Sequence, residues 1–213
     1  MNADEFIRDN SFVMAPPLVP ELKLHLASEV IPLWRKTEEE LARNGVPPPY
    51  WAFAWSGGQA LARYLLDHPD LATDKRVLDF GAGSGLVALA AAKAGARHVL
   101  AADIDPFALA AIRRNARINS VNVETTGQDM IGTNETFDLI LVGDMCYERP
   151  LAERLMAWLK KSQSAILLGD PGRSYFPKTG LTRLAAYSVP TSFELEDREI
   201  RETGVWRLET ERD

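Results

Sequence analysis

The sequence predicts an α/β fold: a mostly parallel, doubly wound sheet held between layers of helices. Three observations carry that expectation. Apolar runs alternate with helical patterns through the middle of the chain, successive runs end in an acidic residue, and a glycine-rich turn joins the first run to its helix. Acids at successive strand ends open on one crevice, where sheets of this kind bind their ligands.

Taken in order, the first 50 residues read as an N-terminal extension and a lid or substrate-contacting segment, and residues 51–213 as the sheet-bearing domain. Pro16, Pro17, Pro20, Pro32, Pro47, Pro48 and Pro49 cut the extension into short pieces. Within it, ELKLHLA alternates Leu22, Leu24 and Leu26 with polar residues, as a short strand does. Thr37 can cap a helix over EEELARNG, with Glu38 to Glu40 in its first turn and Gly45 past its end. Tyr50, Trp51, Phe53 and Trp55 alternate like an extended segment, and Ser56 starts a helix through Leu66.

The first strand of the domain is the run ending VLDF, and a helix follows from Leu86 to Ala94. A second strand spans His98 to Asp103. Pro106 opens the next helix, with Phe107, Ala110, Ala111 and Ile118 on one side. Val121 to Val123 is a third short strand, placing Asp129 in the loop after it. The fourth, FDLILVGDMCY from Phe137, delivers Asp144 and Tyr147 beyond its end.

The segment Val77–Gly85, VLDFGAGSG, narrows the ligand most. Gly81, Gly83 and Gly85 let the backbone turn sharply and let a ligand lie against it. The third glycine comes one residue too early for the dinucleotide fingerprint, and Leu86 stands where that fingerprint has glycine. Asp79 would repel a pyrophosphate but welcome an amino group. An ammonium-bearing nucleoside, S-adenosylmethionine with its product S-adenosylhomocysteine, fits this loop. Asp103 lies where the second strand presents a carboxylate to a ribose diol, and Asp129 is placed to accept from an adenine amino group. Trp55, beside the loop, could wall an adenosine or sulfonium, a cation–π contact of about 1 kcal/mol or more when desolvated; packing would explain it equally well.

Composition bounds the partners. The 213 residues are 46% hydrophobic and 25% charged, ordinary for a soluble globular chain. A net charge of −6 argues against a nucleic-acid partner and suits a basic one, such as a lysine-bearing protein surface. Clustered Arg113, Arg114 and Arg117, and Lys160 with Lys161, read as solvated helix faces. The single Cys146 and the scattered His25, His68 and His98 give no metal-ligand spacing, so no metal is expected. No run approaches the ~18 apolar residues of a membrane span, and MNADEFIRDN has no signal-peptide character. A cytoplasmic monomer is the expectation.

These residues resemble a known group. The glycine loop and the D-x-x-Y formed by Asp144-Met-Cys-Tyr147 are similar to those of class I, Rossmann-like methyltransferases directed at lysine. More closely, PYWAFAWSGGQALARYLLDHP, ADIDPFALAAIRRN, GDMCY and LLGDPGR resemble the electron transfer flavoprotein β-subunit lysine methyltransferases, with Ser56 where some relatives have proline. The resemblance covers nearly the whole chain, most strongly from Pro49 to Arg173. It implies seven strands, the last two an antiparallel hairpin at one edge. That hairpin falls within Tyr187 to Glu209, the fifth strand at Ala165 to Gly169, and a helix at Pro177 to Ala186.

The implied reaction is methyl transfer from S-adenosylmethionine to lysines of a protein, the electron transfer flavoprotein β subunit. Asp144 and Tyr147 would hold the amine and aim its lone pair. Asp144 is an awkward simple base, because its charge also stabilises the ammonium, so whether it takes the proton stays open. Arg173 could hold Asp144, a substrate acid, or its own loop. An adenine N6-methyltransferase would share the fold but prefers two prolines where Met145 and Cys146 stand. A nicotinamide oxidoreductase lacks its glycine spacing and a Tyr-x-x-x-Lys pair, and the intact D-x-x-Y disfavours a silent binding module.

Overall fold

The computed structural model describes residues 3–27, 48–191 and 196–210. The Thr37 helix expectation, and with it much of any lid role for the extension, lies outside the described residues.

A seven-stranded sheet forms the centre, in the order β5-β4-β3-β6-β7-β9-β8. Strands β3 (Arg76–Phe80), β4 (His98–Ala102), β5 (Glu124–Thr126), β6 (Leu139–Gly143) and β7 (Ala165–Asp170) run parallel. The chain then returns antiparallel through β8 (Leu181–Pro190) and β9 (Ile200–Leu208), with β9 inserted between β7 and β8. Sequence order reverses between β3 and β6, the switch point at which such sheets open a crevice. Strands β3, β4, β6 and β7 are apolar on both faces because helices cover both, while β5 at the edge is polar.

One layer is α2 (Ser56–Asp67), α3 (Leu86–Lys93) and α4 (Pro106–Ile118); α5 (Arg149–Leu159) packs with the other core cluster. Helix α3 is buried nearly all round, which explains LVALAAAK: small residues let it lie close to the sheet and to α2. Helix α4 starts at Asp105, whose side chain accepts from Phe107 N–H at 2.8 Å, followed by Pro106 in the first turn.

Residues before Trp51 share this core. Strands β1 (Phe12–Met14) and β2 (Leu24–Leu26) form an antiparallel pair after α1 (Ala3–Asp9), and Leu22, Leu24 and Leu26 are buried as the alternation predicts. Asn115, fully buried on α4, accepts from His25 N–H at 2.7 Å and donates to Ser84 O at 2.8 Å, joining β2 to the glycine loop.

The structure corrects four local expectations. Pro177–Ala186 is not a helix: Gly180 turns the chain at φ +73° and β8 begins at Leu181, paired with Leu208. Alanine and leucine favour a helix there, but pairing along β9 overrides propensity, so the hairpin starts before Tyr187. The third strand is displaced from Val121–Val123 to Glu124–Thr126, because Val121 and Val123 pack against the core while sheet pairing begins at Glu124 opposite Leu100. Tyr50–Ala52 is a 3-10 turn rather than extended, which buries Trp51. Ile118 is exposed, and the buried stripe of α4 runs instead through Ile112, Asn115 and Ala116.

Candidate active site

The crevice opens at the carboxyl ends of β3 and β6. It is lined by Phe53, Trp55, Gly58, Asp79, the Gly81–Ser84 loop and Asp144. Two other depressions lie at the amino ends of strands, one beside His98 and Glu124, the other beside Phe137 and Ser164. Neither contains the acids of the strand ends.

The three glycines of the loop differ in task. All have positive φ: +66° at Gly81, +51° at Gly83 and +81° at Gly85. A Cβ at Gly81 would strike Met145, and one at Gly85 would press on Ile112 at 3.0 Å. At Gly83 the nearest atom would be Tyr50 O, 3.9 Å away. Gly81 and Gly85 therefore serve packing, while Gly83 leaves open space beside the crevice.

Two carboxylates brace this loop. Buried Asp79 accepts from Ala88 N–H at 2.8 Å, in the first turn of α3. Burial pushes its carboxyl up to about 7, with that N–H opposing and Asp103 adding to the rise. Asp103 accepts from Gly83 N–H at 2.9 Å and from Asp105 N–H at 3.0 Å, and burial raises it as well. Beside it, exposed Ile104 follows Asp103, and burial pushes Asp105 up to about 6. A buried and a half-buried carboxylate, both with raised proton affinity, fit a cationic ligand carrying an ammonium and a hydroxyl-bearing sugar.

Asp129 is placed differently. One of its oxygens accepts from Ile131 N–H at 3.0 Å and the other pairs with Arg154 at 2.9 Å. Its carboxylate is thus engaged in its own loop and with α5, and it does not line the crevice.

On the other side, four glycines bring a helix end onto two strand ends. A Cβ at Gly57 would strike Gly169 O and Asp144; one at Gly143 would crowd Gly58 at 3.1 Å. This close approach sets the amino end of α2 against β6 and β7. No side chain of its own caps α2. Two distant carboxylates do so instead: Asp144 accepts from Gly58 N–H at 3.1 Å, and Glu196 from Ser56 N–H at 3.3 Å and Ser56 Oγ at 2.9 Å.

Asp144 takes φ +58°, a conformation that costs a non-glycine residue on the order of 1 kcal/mol. Arg173 holds it there: Nε donates to Oδ1 at 3.0 Å and Nη2 to the same oxygen at 2.7 Å. Burial raises the Asp144 carboxyl above its usual range, against the pull of Arg173. Asp170 shapes the Arg173 loop by accepting from Gly172 and Arg173 N–H groups, both at 2.7 Å. The Arg173 guanidinium also lies 5.7 Å from the centre of the Trp55 ring. Trp55 donates to Tyr50 O at 3.0 Å, and the Tyr50 ring lies 5.8 Å from that of Tyr147. Burial pushes the Tyr147 phenol up to about 12, so it is neutral near pH 7.

The structure therefore gathers Trp55, Asp79, Gly81, Gly83 and Asp144 around one crevice. Asp103 braces its loop and Gly85 its turn, while Tyr147 reaches Tyr50. Sequence reasoning missed Glu196 and Asn115, and named Tyr50 only as part of the aromatic segment. Nothing local signals Glu196, which arrives from the connection between β8 and β9.

The ribosomal protein L11 methyltransferase (PrmA) family matches residues 59–167, from α2 into β7. The electron transfer flavoprotein β-subunit lysine methyltransferase of Xenopus laevis is 40% identical over 96% of the chain and 86% of its own length. That of Danio rerio is 39% identical, over 95% and 81%. The fold is shared with the magnesium protoporphyrin IX methyltransferase ChlM of Synechocystis, solved with bound S-adenosylmethionine. There the TM-score is 0.54 at 14% identity, covering 71% of this chain and 77% of that one.

Proposed function

Because the chain belongs to the electron transfer flavoprotein β-subunit lysine methyltransferase family, and so is an S-adenosylmethionine-dependent protein-lysine methyltransferase, we propose that its substrate is the electron transfer flavoprotein β subunit and that Asp144 and Tyr147 receive the lysine. One observation carries this reading: Asp144 and Asp79 line the same crevice, so an amine acceptor and a cofactor acid face one space.

The residue roles follow from charge. Asp79 holds the ammonium of the cofactor, which repays the burial that raises its carboxyl. Asp103, already bonded to Gly83, accepts from the ribose hydroxyls, and Gly83 leaves the room that the cofactor needs. Trp55 walls the crevice. Asp129 contributes to the adenine end only through the loop it braces with Ile131. When bound, S-adenosylmethionine supplies an already electrophilic methyl group.

The protein's remaining task is to align a neutral amine and keep water out. Free lysine has a pKa of ~10.4, and desolvation beside a cation favours its neutral form. Asp144 accepts from the amine and stabilises the charge formed on nitrogen. A neutral Tyr147 shapes the entrance with Tyr50.

We place the enzyme in the cytoplasm as a metal-independent monomer, in keeping with one buried cysteine and three scattered histidines. Among the described residues no cluster of acids, histidines or cysteine is placed to hold a metal ion, and no helix is long and apolar enough to cross a membrane. The test is transfer from labelled S-adenosylmethionine to purified β subunit, alone and within a host lysate. Label on β-subunit lysines supports the substrate; label only on another protein reassigns it.

A further inference from the structure

We propose that Glu196 is a positioning residue for methyl transfer, acting as the second acceptor that keeps Arg173 paired while Asp144 turns to the substrate ammonium. This rests on the reading of Asp144 given above. The Glu196 side chain is 0% exposed. Its Oε1 accepts from Arg173 Nη2 at 3.0 Å and from Ser56 Oγ at 2.9 Å, and its Oε2 from Arg201 Nε at 3.2 Å. Arg173 Nη2 carries two protons and forks between Asp144, at 2.7 Å, and Glu196.

That fork matters because Arg173 already neutralises Asp144, taking Oδ1 twice, while Gly58 N–H takes one site on Oδ2. An arriving ammonium competes with Arg173 for that charge. A half-buried guanidinium left without a carboxylate is strongly unfavourable. With Glu196 in place, Arg173 gives up Asp144 Oδ1 and keeps an anionic partner. Arg201 and Ser56 hold Glu196 still, so the exchange moves one side chain rather than the loop.

A purely structural Glu196 would cap α2 and tie β9 to it, and a neutral amide would serve nearly as well for the capping. Charge serves the ion pair with Arg201 as well, and only the exchange couples it to Asp144. In Glu196→Gln, Arg173 has Asp144 as its sole anion and grips it more firmly. The amine then competes poorly, and loss of a nearby anion also makes the Asp144 carboxyl of the free enzyme easier to ionise.

The experiment compares wild type, E196Q, R173Q and the double variant with β subunit as acceptor, alongside calorimetry with S-adenosylhomocysteine and melting curves. The expected result for E196Q is a kcat/KM lower by about ten- to a hundredfold, the weight of one hydrogen bond to a charged group. Its acid limb should move to lower pH, with cofactor affinity unchanged. Adding E196Q to R173Q should bring little further loss. Unchanged kcat/KM, a loss matched by falling cofactor affinity or melting temperature, an unmoved acid limb, or full additivity with R173Q would each overturn the proposal. If wild type leaves the β subunit unmodified, the substrate assignment fails instead, and the same four proteins are compared on whichever lysate protein wild type labels.

Discussion

The backbone N–H of Gly83 donates to Asp103 Oδ2 at 2.9 Å, so the carboxylate placed to meet a ribose also fixes the loop that leaves room for it. Asp103→Ala therefore loses two things together. Binding of S-adenosylhomocysteine should weaken by about 1.5–3 kcal/mol, the weight of charge-assisted hydrogen bonds. Asp129→Ala should cost far less, since Asp129 spends its oxygens on Ile131 and Arg154. Calorimetry on both variants checks the ranking, and equal losses would contradict it.

Cofactor affinity should depend on pH through Asp79. Its carboxyl, raised to about 7 in the free protein, must be ionised to hold an ammonium. Above that pH the site is ready; as pH falls through it, binding must first expel a proton. Affinity for S-adenosylhomocysteine should then fall towards acid by up to about tenfold per pH unit. Asp79→Asn should bind weakly and lose most of this dependence. A wild-type affinity flat across neutral pH would rule out the role.

Gly57→Ala tests the glycine contact that carries α2 to the strand ends. The new Cβ would meet Gly169 O, a backbone atom with little room to move. Destabilisation of about 3 kcal/mol is expected from overpacking of this kind, measured by denaturant unfolding. Gly58→Ala, whose Cβ would meet only Val87 at 3.8 Å, should be much milder.

Tyr147→Phe should reduce transfer by about tenfold or less, since only one neutral hydrogen bond is lost while the ring stays against Tyr50. With the phenol raised to about 12, the wild-type pH profile should show no Tyr147 limb near neutrality. Complete inactivation of the variant would give the hydroxyl a larger part.

The sequence made the crevice legible where chemistry is local. VLDFGAGSG turns from β3 into α3 within a few residues, and Asp103 and Asp144 each follow a continuous apolar strand. Legibility ended where long-range pairing decides. LTRLAAYS carries helical residue types, yet β9 makes it a strand. Arg173 in LLGDPGR could be read as holding Asp144, a substrate acid or its own loop, and it is the β6–β7 neighbourhood, which joins residues 29 apart, that decides for Asp144. Glu196 lay further from notice, since its partners Ser56 and Arg173 precede it by 140 and 23 residues. Asn115 is one polar residue on an amphipathic helix, and only its buried hydrogen bonds reveal it as the link between β2 and the glycine loop.

The central claim is that Asp144 serves the amine and not the cofactor, and one paired measurement on Asp144→Asn tests it most directly. The amide keeps the shape of the side chain and an acceptor for Gly58 N–H. Single-turnover methyl transfer to β-subunit lysine should fall by roughly two to three orders of magnitude, as when a preorganised electrostatic contact is removed, while calorimetric affinity for S-adenosylmethionine stays within a few-fold. Transfer at the wild-type rate would contradict the account, and so would a collapse of cofactor affinity that accounts for the whole loss.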